Sequence, residues 1–150
     1  MEITQFTYFQ QVGSIPLTVI PVEITYGLER IAMFIQKKNS VLEIDWSSEK
    51  KWKEIMLESE KEFCYFNFKN ANIEMIMSWF EKSEEEVKRL LKEDLVYPAY
   101  DYVIKCSHLF NLLDSRGSIS QKERANYIIR IRNLSRAVAK KYMERKNGDE

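Results

Sequence analysis

The chain has 150 residues, 45% of them apolar and 13% aromatic, which suits one domain or a little more with a genuine core. Lys+Arg and Asp+Glu balance at 23 each, so no global field advertises nucleic acid and any RNA contact must come from a local patch. The cysteines, Cys64 and Cys106, form no CxxC pair and have no histidine cluster around them, which argues against a zinc site and a disulfide framework.

Residues 1 to about 12 are rich in Thr, Phe, Tyr and Ile, a composition that predicts a strand. Gly13-Ser14 and Pro16 break it, and Leu17 to Thr25, interrupted at Pro21, supplies a second extended run. The two are expected to pair as a hairpin or as adjacent strands. A two-stranded ribbon is marginal alone. No later stretch offers another convincing strand, so the ribbon is expected to be the edge of a larger sheet. From Leu28 the apolar residues Leu28, Ile31, Ala32 and Ile35 follow the i, i+3, i+4, i+7 spacing of a helix with one buried face, ended by Lys37-Lys38-Asn39-Ser40. Ser48 is the expected N-cap of a short helix bearing Trp52, Ile55 and Met56. The aromatic-dense Phe63-Cys64-Tyr65-Phe66-Asn67-Phe68 reads as core or interface rather than as a base-stacking platform.

Asn72 opens a helix with Ile73, Ile76, Met77 and Phe80 on one face, renewed by Val87, Leu90 and Leu91. Ser83-x-x-Glu86 offers a capping box that would divide it, and the acidic run Glu81 to Glu86 reads as a solvated face. Pro98 suits the first turn of the next helix, whose stripe Ala99, Tyr102, Val103, Cys106, Leu109, Phe110 and Leu113 makes Cys106 a core residue and not a nucleophile. His108, the single histidine, falls on the opposite face with Asp101 and Lys105 and reads as packing at the surface or core edge. Ser120-x-x-Glu123 is a second capping box and starts the last long helix. On it Arg132, Arg136 and Lys140 form a positive ridge, with Arg124 and Arg130 nearby: a solvated face, or a contact for RNA phosphate or an acidic partner. Asn147 to Glu150 is expected to fray.

The stretch Val22 to Met33 carries the most chemistry. A β-branched run ends at Gly27, and a helix follows at once with Glu29 and Arg30 in its first turn, off the apolar stripe. An arginine there is opposed by the positive end of the helix dipole. An anion held between Arg30 and the free N–H groups of that turn would remove the conflict. Gly27 would leave room for a ligand to approach the backbone. A surface arginine paired with a nearby carboxylate explains the same residues.

Gly27-Leu28-Glu29-Arg30-Ile31-Ala32 resembles motif 3 of class II aminoacyl-tRNA synthetases. Met1 to Gly13 is more specific and resembles the α subunit of the bacterial heterotetrameric glycyl-tRNA synthetase, as do Pro98 to Arg116, Ile119-Ser120, Glu123-Arg124 and Tyr127 to Leu134. The resemblance is weakest between about 39 and 95. It implies an α+β fold: the edge of an antiparallel class II synthetase sheet with the motif 3 helix over residues 1–38, then a mainly α-helical domain over 39–150.

That family activates glycine with ATP to glycyl-adenylate and charges tRNA(Gly). By the resemblance, Arg30 clamps the ATP γ-phosphate and Glu29 orients it or holds Mg²⁺, while Glu2 is a further carboxylate for ATP-bound Mg²⁺. Glu23 faces the glycine ammonium, and Thr25 and Gln5 line the pocket. The implied partners are a β subunit and a second α chain within an α2β2 tetramer. No basic leader with an apolar h-region opens the chain and no apolar run spans a membrane, so a cytoplasmic protein is expected. Motif 1 and the motif 2 arginine are missing, and Ser14 stands where the family usually has a second glycine. The resemblance thus covers only the family's C-terminal half, and these residues alone are expected to be inactive. A non-catalytic helical interaction module of synthetase ancestry is the alternative.

Overall fold

The computed structural model describes residues 1–148 and runs β1 (Thr4–Tyr8), β2 (Gln11–Val12), β3 (Ile15–Pro16), β4 (Val22–Tyr26), α1 (Leu28–Ile35), α2 (Trp52–Tyr65), α3 (Ile73–Lys92), α4 (Val96–Ser115) and α5 (Gln121–Gly148). A 3-10 turn at Val41–Glu43 and a π turn at Phe66–Asn70 complete it. The fold is mixed α/β, with a small antiparallel sheet and a mostly helical C-terminal region. Two units separate: Met1–Gln10 with Thr18–Phe66, and Gln11–Leu17 with everything from Asn67 onward. None of the described helices is long and apolar enough to cross a membrane.

In the first unit β1 and β4 pair antiparallel, as the two extended runs predict, with Gln5 opposite Thr25 and Thr7 opposite Glu23. Alternation then sorts the ribbon into a polar face (Gln5, Thr7, Glu23, Thr25) and an apolar one (Phe6, Tyr8, Val22, Ile24, Tyr26). The apolar side chains are all exposed. The apolar stripe of α1 departs from expectation: Leu28 and Ile35 are each 71% exposed, and Ile31 and Ala32 only half-buried. The unit leaves the two ends of this stripe uncovered, and its one buried apolar residue is Ile44.

The end of α1 is tied to the following loop by a reciprocal pair. Gln36 Nε2 donates to the Asp45 carbonyl at 3.1 Å, and the Asp45 N–H donates to Gln36 Oε1 at 2.8 Å. Lys38 lies 2.8 Å from the Asp45 carboxylate and its hydrogen bond lowers that acid's pKa. The next helix starts at Trp52 and not after Ser48, because Glu54 accepts the Lys51 N–H at 3.0 Å. It is also longer than expected, at 14 residues. Phe63, Tyr65 and Phe68 are exposed, so the aromatic segment is not core.

The core lies in the second unit, between α3, α4 and α5. Asn72 Oδ1 accepts the Met75 N–H at 3.0 Å and caps α3 as predicted. The capping box at Ser83 does not form: α3 runs unbroken from Ile73 to Lys92, and Ser83 is buried mid-helix. Nor is the acidic run wholly solvated. Glu84 has a side chain only 13% exposed and is ion-paired with Arg130 and with Lys88, the latter at 3.1 Å. The Arg130 guanidinium also lies 4.6 Å from the Phe80 ring. On α4 the predicted stripe is buried apart from a half-buried Tyr102, and Pro98 falls in the first turn. Burial pushes the Cys106 thiol up to about 11, and its Sγ sits 3.9 Å from the Phe80 carbonyl, as expected of a core cysteine. Ser120 and Glu123 exchange both capping-box hydrogen bonds, at 2.7 and 3.2 Å. The helix they start is assigned through Gly148, two residues into the stretch expected as a tail, and residues 149–150 lie outside the described residues.

Gly13-Ser14 does more than end a strand. Both residues have left-handed φ, +54° and +64°, and form the turn of the short β2–β3 hairpin. A Cβ on Gly13 would lie 2.8 Å from the Arg136 Cα, so the hairpin packs backbone to backbone against α5.

Gly13→Ala is therefore expected to cost about 2–4 kcal/mol, from left-handed strain together with overpacking. Ser14→Gly should gain about 0.5–1 kcal/mol by relieving the strain alone. Urea unfolding midpoints measure both. Desolvation raises the Glu84 pKa, but hydrogen bonds from Arg130 and Lys88 outweigh it and the net shift is downward from 4.5. Its contribution is then complete above that ordinary value and is lost as pH falls through the lower folded-state value. Glu84→Gln should cost about 1–3 kcal/mol at neutral pH and flatten that acid-side decline in a series of thermal melts.

Candidate functional site

At the open end of the ribbon, the Gly27 N–H donates to the Ile3 carbonyl at 2.9 Å, fixing the start of α1 against the start of β1. No side chain caps that helix, so its first-turn N–H groups are available to an anion. Arg30, the third residue of α1, folds back across Gly27. Its Nη1 donates to the Glu2 carbonyl at 2.8 Å and lies 3.9 Å from the Glu2 carboxylate. Gly27 has an ordinary φ of −81°, so its lack of a side chain matters for space. A Cβ there would be 3.3 Å from Arg30 Cδ. The glycine thus makes room for the arginine as well as for any ligand.

Glu2, Gln5, Thr25, Gly27, Glu29 and Arg30 line one hollow of about 280 Å³. Five of the six residues singled out in the sequence therefore converge on it. Glu23 does not line it. It lies two residues down β4 on the same face, and its carboxylate accepts the Thr25 hydroxyl. The hollow holds one cation, two carboxylates and a helix N-terminus. The Arg30 and Glu2 side chains are 54% and 56% exposed, and an ion pair at 3.9 Å in water contributes little. Most of the guanidinium donors therefore remain available. Among the described residues no three His, Cys, Asp or Glu side chains cluster as a metal site. Glu2 and Glu29 are hard oxygen donors suited to Mg²⁺, provided that a ligand and water supply the remaining oxygens.

A second hollow, of about 550 Å³, lies between α3 and α4 and is lined in part by Trp79, Lys82, Tyr102, Lys105 and His108. Its charges are already satisfied in part: Lys105 pairs with Asp101 at 2.8 Å and lies 4.1 Å over the Tyr102 ring, and Glu86 is held by Arg89 at 2.6 Å. His108 is exposed there, as the sequence suggests. Trp79 escapes sequence reasoning, since an indole one helical turn from a core stripe reads as more core. On α5 the expected group of cations divides. Arg124 pairs with Asp114 at 3.1 Å and Arg130 with Glu84, while Arg132, Arg136 and Lys140 are exposed with no ion pair among the described residues.

The residues that build the first hollow and the helical core that follows lie on one continuous match. The family model of the glycyl-tRNA synthetase alpha subunit aligns with residues 1–147, and the chain belongs to that family.

Proposed function

We propose that this chain supplies part of the site that activates glycine with ATP and charges tRNA(Gly), within a cytoplasmic α2β2 assembly of α and β subunits. The observation that carries the reading is the hollow in which Arg30, Glu29, Glu2, Gln5 and Thr25 meet. In the first step the glycine carboxylate attacks the α-phosphate of ATP and pyrophosphate leaves. In the second a tRNA 3′-terminal hydroxyl takes the glycyl group and AMP leaves. Neither step needs a protein nucleophile. Catalysis is placement and charge compensation.

Arg30 suits the terminal phosphate, because a guanidinium presents a planar donor fork and this one has donors to spare. The uncapped first turn of α1 adds N–H groups beside it. Glu2 and Glu29 would hold Mg²⁺ through their carboxylates, and the ion would neutralise phosphate charge. Gln5 and Thr25, directly opposite each other across the ribbon, make a narrow floor for a substrate with no side chain. Crowding out one methyl is worth about 1–3 kcal/mol. Glu23 fixes the Thr25 hydroxyl and brings negative charge near the glycine ammonium.

The exposed apolar face of β1 and β4 supports a sheet completed by further polypeptide. The same exposure favours the alternative of a docking module. Arg30 separates the two. In the assembled synthetase, Arg30→Ala should lower glycine-dependent ATP–pyrophosphate exchange by roughly 10²-fold. Gly27→Ala, which crowds Arg30 without removing it, should give a smaller loss. Unchanged exchange in Arg30→Ala with assembly intact would establish docking instead. The 150 residues alone offer one cation in an open hollow, so exchange by the isolated chain should be near background.

A further inference from the structure

Three basic residues of α5 are held by carboxylates, while Lys122, Arg145 and Lys146, towards its two ends, are exposed with no ion pair among the described residues. Arg124 is bound to Asp114, Arg130 to Glu84, and Lys141 to Asp94 at 2.7 Å. Arg132, Arg136 and Lys140 are exposed and have no ion pair among the described residues. They lie at i, i+4 and i+8, one above another on a single helix face, with a rise of about 6 Å between successive charges. That is the scale of the step from one backbone phosphate to the next.

The β2–β3 hairpin packs against α5 at Ser135 and Arg136, and its residues Gln11 to Leu17 include no acid. The hairpin therefore brings no countercharge to the ridge, and the acid in line with it is Glu144, one turn beyond Lys140. In a chain whose formal charges cancel overall, three exposed cations in a row are a local concentration of positive charge. Holding like charges at this spacing is unfavourable by a few tenths of a kcal/mol per pair unless an anion is present.

We propose that Arg132, Arg136 and Lys140 grip three successive phosphates of an RNA backbone, that of the tRNA on which this subunit is proposed above to act. Regular spacing along one helix fits a polyanion of regular charge better than the irregular carboxylates of a protein surface. The two arginines offer forked donors to phosphate oxygens. The ridge touches backbone only, so it adds affinity and register and no sequence discrimination.

The test is a fluorescence-anisotropy titration of the assembled synthetase with labelled tRNA(Gly) transcript over a range of salt, for wild type and for Arg132→Gln/Arg136→Gln/Lys140→Gln. The variant should bind at least about tenfold more weakly at low salt, and its log K against log salt slope should fall by about 2–3. Glycine-dependent ATP–pyrophosphate exchange, which needs no tRNA, should match wild type. Equal affinity and slope would overturn the proposal. So would unchanged RNA binding together with loss of the β subunit on gel filtration, which would assign the ridge to an acidic protein surface. If wild type exchanges no ATP, the reading of the ribbon hollow fails, while the salt slopes still decide the ridge. A measurement on wild type is independent of variant folding: bound tRNA should shield Lys140 from an amine-reactive reagent and leave the exposed Lys61 of α2 reactive. Equal labelling of Lys140 with and without tRNA would count against the grip.

Discussion

The pairing of β1 with β4 is the constraint on which the candidate site depends. Gln5 and Thr25 share one face only because they are directly opposite, and Glu23 reaches Thr25 only because they are two residues apart on that face. A slip of one residue would exchange this polar set for Phe6, Ile24 and Tyr8. The same strand end also anchors the helix. Ile3 accepts from Gly27 and Glu2 accepts from Arg30, so two backbone carbonyls of adjacent residues hold both the axis of α1 and the head of its arginine. Sheet register, helix entry and guanidinium position are therefore one coupled arrangement.

The two units differ in what holds them. From Asn67 onward three long helices enclose Phe80, Val87, Ala99, Cys106 and Leu113, all essentially inaccessible to solvent. The ribbon unit buries Ile44 and little else, and leaves one sheet face and both ends of its helix stripe in water. Hydrophobic burial is roughly proportional to area removed from water, so the ribbon gains far less from folding than the helices do. Local opening free energies follow such differences. The candidate hollow thus lies on the more weakly held part.

What could be read in the sequence follows from the range of the forces involved. Strand pairing, the Asn72 cap, the Ser120–Glu123 box and the α4 stripe are local patterns and are found where they were expected. Apart from the Ser48 cap, displaced by the neighbouring Lys51 and Glu54, the failures involve distant partners. Ser83-x-x-Glu86 has the right residues for a capping box, but Phe80 and Val87 on either side are drawn into the core and keep the helix whole. Glu84 looks like one more acid in a solvated run until Arg130, 46 positions away, pairs with it. The α1 stripe shows the reverse error, since periodicity reports an apolar face and says nothing of what lies against it. Gly27 was legible as a requirement for space, but its contact with Arg30 Cδ was not, because side-chain direction is absent from a spacing argument.

Arg30 itself shows how an unfavourable local choice becomes intelligible. A cation in the first turn opposes the helix dipole. Here the side chain turns away from the axis and back to the Glu2 carbonyl, which places its charge beside an acceptor and near a carboxylate. That single hydrogen bond orients the guanidinium without saturating it. A tighter, bidentate ion pair with Glu2 would have stabilised the free protein more and left fewer donors for a phosphate. The longer 3.9 Å separation leaves those donors unsaturated.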